Sequence, residues 1–126
     1  MEIISISIDK GTLNDLNNTQ EKLGFKSRSK LLRATISSLL NEYSVLDGLS
    51  GHCDVVFTVT FEQHSGGGFG RIMNEFEGII RTEIHQHHAK TCLRVIIVCG
   101  DARKVRDFFV ALKNEKGAKS VAYSVL

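Results

Sequence analysis

The sequence has no run of eighteen apolar residues, the length a membrane-crossing helix needs, and no charged, apolar-cored leader at its start. The expectation is a soluble, cytoplasmic protein with no membrane partner. Proline is absent, and cysteine is scarce. The three cysteines, Cys53, Cys92 and Cys99, are an odd number. Without an export signal they point to free or metal-bound thiols, not to a disulfide framework. A strong excess of one charge is also missing. The net charge is only +2, and residues 1–48 carry six Lys/Arg against six Asp/Glu. That argues against indiscriminate nucleic-acid binding, which needs a broad basic footprint. Finally, no nucleophile–base–orienter set stands out. Gly66-Gly67-Gly68-Phe69-Gly70-Arg71 lacks the Gly-Lys-Ser/Thr ending of a phosphate loop. An enzyme is not expected.

What is present falls into two parts. The 126 residues suffice for one ordinary domain or two very small ones. Ile4, Ile6 and Ile8 alternate with Ser5 and Ser7, the period of a strand. A helix is expected over 12–23, with Leu13, Leu16 and Leu23 on one face and Gly24 just past its end. Ser27 or Ser29 would cap a second helix reaching Tyr43, striped by Leu32, Ile36, Leu39, Leu40 and Tyr43. These residues suggest a first domain over 1–46 and a hinge over 47–52.

One strand and two short helices cannot bury a core, and the lone strand would have two unpaired edges. Pairing two copies of the strand antiparallel about a twofold axis solves both problems. Ile4, Ile6 and Ile8 would then face the helices, with Ile3, Ser5 and Ser7 outward. Such a ribbon fits the major groove of double-stranded DNA, and the backbone N–H groups at Ser27-Arg28-Ser29 suit a phosphate. The pattern alone equally fits an outer strand of a small α/β domain, with Ser5 and Ser7 solvated. The whole arrangement, from the alternating strand ending at Asp9 to Gly24-Phe25-Lys26-Ser27-Arg28-Ser29, resembles the ribbon-helix-helix repressors. The resemblance implies a homodimer that reads bases with Ser5 and Ser7 and holds phosphates with Arg28 and Ser29. Ile3 departs from the polar or basic reader often found at its position.

Residues 53–126 form a second unit. Strands are expected over 54–62, 79–88, 92–98 and 120–126, and helices over 69–76 and from Gly100-Asp101 to Asn114. The order β-α-β-β-α-β is that of a ferredoxin-like sandwich, making the chain α+β overall. On a strand, His85-Gln86-His87 puts both imidazoles on one face, and Cys92 can lie beside them across a tight turn. Two imidazoles and a thiolate suit nickel, copper, cobalt or zinc. Further imidazoles stand at His52, His64 and His88.

The ribbon-helix-helix start, the β-α-β-β-α-β unit and the H-x-H…C-L motif together resemble the nickel-responsive regulators, the NikR family, over nearly the whole chain. That family implies an ACT-like second domain, a homotetramer with DNA-binding dimers at its ends, and metal-controlled binding to an operator, with repression the expected outcome. It also implies a square-planar metal held by His85, His87, Cys92 and one histidine from a neighbouring subunit. The last does not carry over: counted back from His85, its position holds Asn74. The fourth place is open to Asn74, Glu77, His64, His88 or water, and oxygen or water there favours tetrahedral or five-coordinate geometry. The alternatives are a ribbon-helix-helix regulator whose second domain senses a small molecule such as an amino acid, and one that has lost sensing.

Overall fold

The structure is a computed structural model that describes residues 1–62 and 67–126. The chain divides into two compact units, residues 1–44 and 45–126, and each is taken by itself. Among the described residues, no helix is long and apolar enough to cross a membrane.

The first unit is built by its caps. Helix α1, Lys10–Leu23, begins at Asp9, whose carboxylate accepts from the backbone N–H and the hydroxyl of Thr12, each at 2.8 Å. Those donors hold the Asp9 carboxyl below its ordinary range. At the other end, Gly24 takes φ 73°, which glycine adopts without steric cost. Its N–H reaches Glu21 O, and the N–H of Phe25 reaches Gln20 O, a Schellman stop. Helix α2, Arg28–Asp47, is capped by Ser27, whose Oγ accepts from Lys30 N at 3.2 Å. It outruns the expected end at Tyr43 because nothing in Ser44-Val45-Leu46-Asp47 breaks a helix, and Gly48 comes only afterwards.

Apolar side chains of this unit remain uncovered. The alternation of Ile4, Ile6 and Ile8 predicts a strand, but residues 1–9 form none in the single chain, and Ile4, Ile6, Ile8, Leu23, Ile36, Leu39 and Leu40 are exposed, whereas Leu31 is buried. A strand ladder needs two strands, and in the paired-ribbon reading the other belongs to a second copy.

The second unit begins within the last turn of α2. Leu46 is fully buried there. Arg106 donates to the carbonyls of Leu46 and Leu49, and Ala102 N donates to Gly51 O. The stretch expected to be a hinge is therefore hydrogen-bonded to helix α4, Ala102–Asn114. The remaining elements are β1 (His52–Glu62), α3 (Gly68–Glu75), β2 (Ile80–His88), β3 (Thr91–Asp101) and β4 (Ala118–Val125). They give the expected β-α-β-β-α-β order. The sheet is antiparallel throughout, ordered β2-β3-β1-β4.

Alternation decides which face is buried. Val55, Phe57, Val59 and Phe61 of β1 point one way with Ile96 and Val98 of β3, and all are buried. Against them lie Val105, Phe108, Phe109 and Leu112 of α4 and Ile72 of α3. Phe57 and Phe108 meet edge to face at 5.2 Å, and the Phe61 and Phe69 rings lie 4.4 Å apart, tilted by 57°. The opposite face carries no helix. Val56, Leu93, Val95 and Ile97 are half-buried on it, and Ile84 is 58% exposed.

Gly100 marks a close approach, since a methyl group there would stand 2.5 Å from Cγ2 of the buried Ile79. Gly100→Ala should cost about 1–3 kcal/mol by overpacking. Gly70→Ala, in α3 with open space around it, should instead stabilise by about 0.5–1 kcal/mol. Urea denaturation of the two variants checks this, and equal midpoints would contradict it.

Candidate metal centre

The site is a product of hairpin register. Strands β2 and β3 are joined by a turn at Ala89-Lys90, with Ala89 in the left-handed region at φ 53°. The pairing sets His88 opposite Thr91, His87 opposite Cys92 and His85 opposite Arg94. Side chains alternate along a strand, so His85, His87 and Cys92 share one face. It is the face that carries the helices, at the end of the sheet where β2 is exposed along most of its length.

The three donors converge. Cys92 Sγ lies 3.3 Å from His87 Nδ1, and the rings of His85 and His87 are 4.4 Å apart. The two ring nitrogens and the sulfur all lie within 4.8 Å of one another. Around a tetrahedral ion with bonds of about 2.0–2.3 Å, two donors stand about 3.3–3.8 Å apart. Small side-chain rotations close the difference. Two imidazoles and one thiolate are the donor set of a borderline or soft divalent metal, so these residues fit the metal that the H-x-H…C motif implies. Arg94, next on this face, is paired with Glu83 and lies 4.3 Å over the Phe69 ring. Its charge is thus balanced locally. Burial alone pulls the Arg94 guanidinium down from its ordinary range.

Among the described residues, no fourth histidine, cysteine or carboxylate joins this group. His88 is on the opposite face, paired with Thr91. Asn74 is exposed in the last turn of α3, and Glu77 is exposed in the turn after it, its backbone N–H donating to the carbonyl of Asn74. His64 lies outside the described residues. In the first unit, Ile3, Ser5 and Ser7 are all exposed, Ile3 at 92%. Ser27 caps α2, Ser29 is exposed, and Arg28 Nε donates to Asn17 Oδ1 at 3.0 Å. Asn17 was not singled out in the sequence, because its partner is eleven residues away on another helix.

A second group was missed as well. His52, Asp54 and Cys99 bring their donor atoms within 4.8 Å of one another at the far end of the sheet. The spacing His52-x-Asp54 puts two donors on one face of β1, but the third comes from β3. Only the β1–β3 register brings it there.

Comparison with known proteins bears on the second unit first. The sequence model of the NikR C-terminal nickel-binding domain matches residues 56–126. A protein of Methanococcus maripaludis provisionally named a nickel-responsive regulator is 29% identical over 130 aligned positions, covering 100% of this chain and 92% of its own length. One from Methanothermobacter thermautotrophicus, provisionally named nickel-responsive regulator 2, is 27% identical over 94% of this chain and 87% of its own. Among solved structures, an uncharacterized protein from Thermotoga maritima superposes with a TM-score of 0.57 at 11% identity. It covers 60% of this chain and 99% of that one, and that likeness is one of fold.

If the hairpin holds the metal, Cys92→Ala should weaken nickel binding at that site at least 10–100-fold, the range that even outer-shell changes cost, roughly. Binding to the parent chain should also weaken as pH falls, because protons compete for imidazole and thiol. Competition titration against a chelator measures both. Unchanged affinity in the variant would remove Cys92 from the site.

Proposed function

The chain belongs to the NikR C-terminal nickel-binding domain family, and from that premise we propose that it is a metal-responsive, DNA-binding transcriptional regulator, acting as a repressor. The convergence of His85, His87 and Cys92 on one face of the β2–β3 hairpin carries the reading. Those residues would hold the metal, nickel by family, and the ion serves as a clamp on structure with no reaction to perform. The fourth place falls to water or to a donor from a second copy, since this chain's own described titratable groups do not supply it.

Two uncovered surfaces support an assembly. The exposed Ile4, Ile6 and Ile8 suit a twofold ribbon, which would turn Ile3, Ser5 and Ser7 toward the base edges of a DNA operator. The helix-free sheet face, with Val56, Leu93, Val95, Ile97 and Ile84, suits association of the second units into a tetramer. Ser27, Arg28 and Ser29 open α2, where N–H groups and the helix dipole favour a phosphate, and Asn17 orients the Arg28 guanidinium. Each arm is close to neutral and reads with short hydroxyls. Its affinity for DNA therefore depends on a second arm held at the right spacing. A metal that binds the DNA-competent arrangement can supply about 2.7 kcal/mol when present at 100 times its Kd.

Two variants test the proposal on DNA selected by the protein from a random duplex pool in the presence of nickel. Cys92→Ala should abolish the nickel dependence of binding while leaving the oligomer intact by sedimentation. Binding equal to the parent at every nickel concentration would sink metal sensing and leave a small-molecule sensor or an insensitive regulator. Arg28→Ala should weaken binding to all duplexes alike and lower the salt slope by about one. A loss confined to one sequence would instead make Arg28 a base reader.

A further inference from the structure

We propose that His52, Asp54 and Cys99 form a second divalent-metal site, separate from the hairpin site. The residues come together through the β1–β3 register, in which Asp54 stands directly opposite Cys99. His52 precedes Asp54 by two residues and so projects from the same face of the sheet. His52 Nε2 lies 2.9 Å from Cys99 Sγ, and the nitrogen, the sulfur and a carboxylate oxygen all lie within 4.8 Å of one another. Asp101, opposite His52 in the ladder, is otherwise engaged: its Oδ1 accepts from Arg103 N at the start of α4.

The donors define the ligand class. One imidazole, one thiolate and one carboxylate suit zinc or cobalt in a four-coordinate site, with water in the open position. His52 and Asp54 are exposed and Cys99 is half-buried, so an ion has a path in. The two sites cannot be one. Cys92 and Cys99 are seven residues apart on β3, about 23 Å at roughly 3.3 Å per residue, and an odd spacing puts them on opposite faces. The thiol of Cys99 is pushed up by its hydrogen bond with Asp54, then by burial and the Asp54 charge, with Arg81 opposing. A bound ion would also tie the start of β1 to the end of β3, beside the Gly51–Ala102 hydrogen bond.

Cobalt titration of the full chain tests this without reference to DNA. The measured quantity is the number of cobalt ions per chain that show thiolate-to-cobalt absorption. Cys99→Ala should lose one such ion. Cys92→Ala should retain that ion, and Cys53→Ala should not affect it. His52→Ala and Asp54→Asn should each weaken it at least about tenfold. Circular dichroism checks that each variant is folded. If Cys92→Ala does not fold, the count in the parent against Cys99→Ala decides alone. A count unchanged by Cys99→Ala overturns the proposal, and the close His52–Cys99 pair is then a proton-sharing hydrogen bond. A parent chain whose single thiolate-bound cobalt disappears with Cys99→Ala and persists in Cys92→Ala supports this site while defeating the hairpin site.

Discussion

The register of the β2–β3 hairpin is the constraint on which the site depends. With His87 set opposite Cys92, every second side chain of both strands falls on the same face. A slip of one residue would send the histidines to one face and the cysteine to the other. The two-residue turn with Ala89 in the left-handed region fixes that pairing at the expense of a backbone conformation that disfavours a Cβ. The buried side fixes it again. Ile96 and Val98 lie under α4, and a slipped β3 would expose them. Core packing and donor geometry are thus two consequences of one pairing.

The same logic separates the two ends of the sheet. β3 carries Cys92 near one end and Cys99 near the other, on opposite faces, each with donors from a different neighbour strand. Its central position, between β1 and β2, lets a single strand serve both groups. Arg94 and Glu83 neutralise one another beside the first group, whereas Asp54 contributes its charge directly to the second.

Much of this was legible in the sequence where the signal was local. The alternation of Val55, Phe57, Val59 and Phe61 and the helical stripe of Val105, Phe108, Phe109 and Leu112 are enough to place the sheet and its cover. His85-x-His87 and a cysteine after a tight turn need only the period of a strand. Where distant segments decide, the residues were silent. Cys99 joins His52 and Asp54 through a pairing 47 residues long in sequence. Arg106 reaches back to Leu46 and Leu49, and the expected hinge proved to be bonded there. The end of α2 differs for another reason: the apolar stripe reaches only Tyr43, but with no breaker before Gly48 the helix continues to Asp47. The alternation of Ile4, Ile6 and Ile8 is a case apart: residues 1–9 form no strand in the single chain, and the partner proposed for them is a second copy.

The central claim is that one metal ion is held by His85, His87 and Cys92. X-ray absorption at the nickel edge tests it most directly, on a Cys99→Ala chain loaded with one equivalent of nickel so that the second group contributes no sulfur. The account predicts one sulfur and imidazole scattering in the inner shell, with the sulfur lost when Cys92→Ala is added. An inner shell of nitrogen and oxygen alone would contradict it.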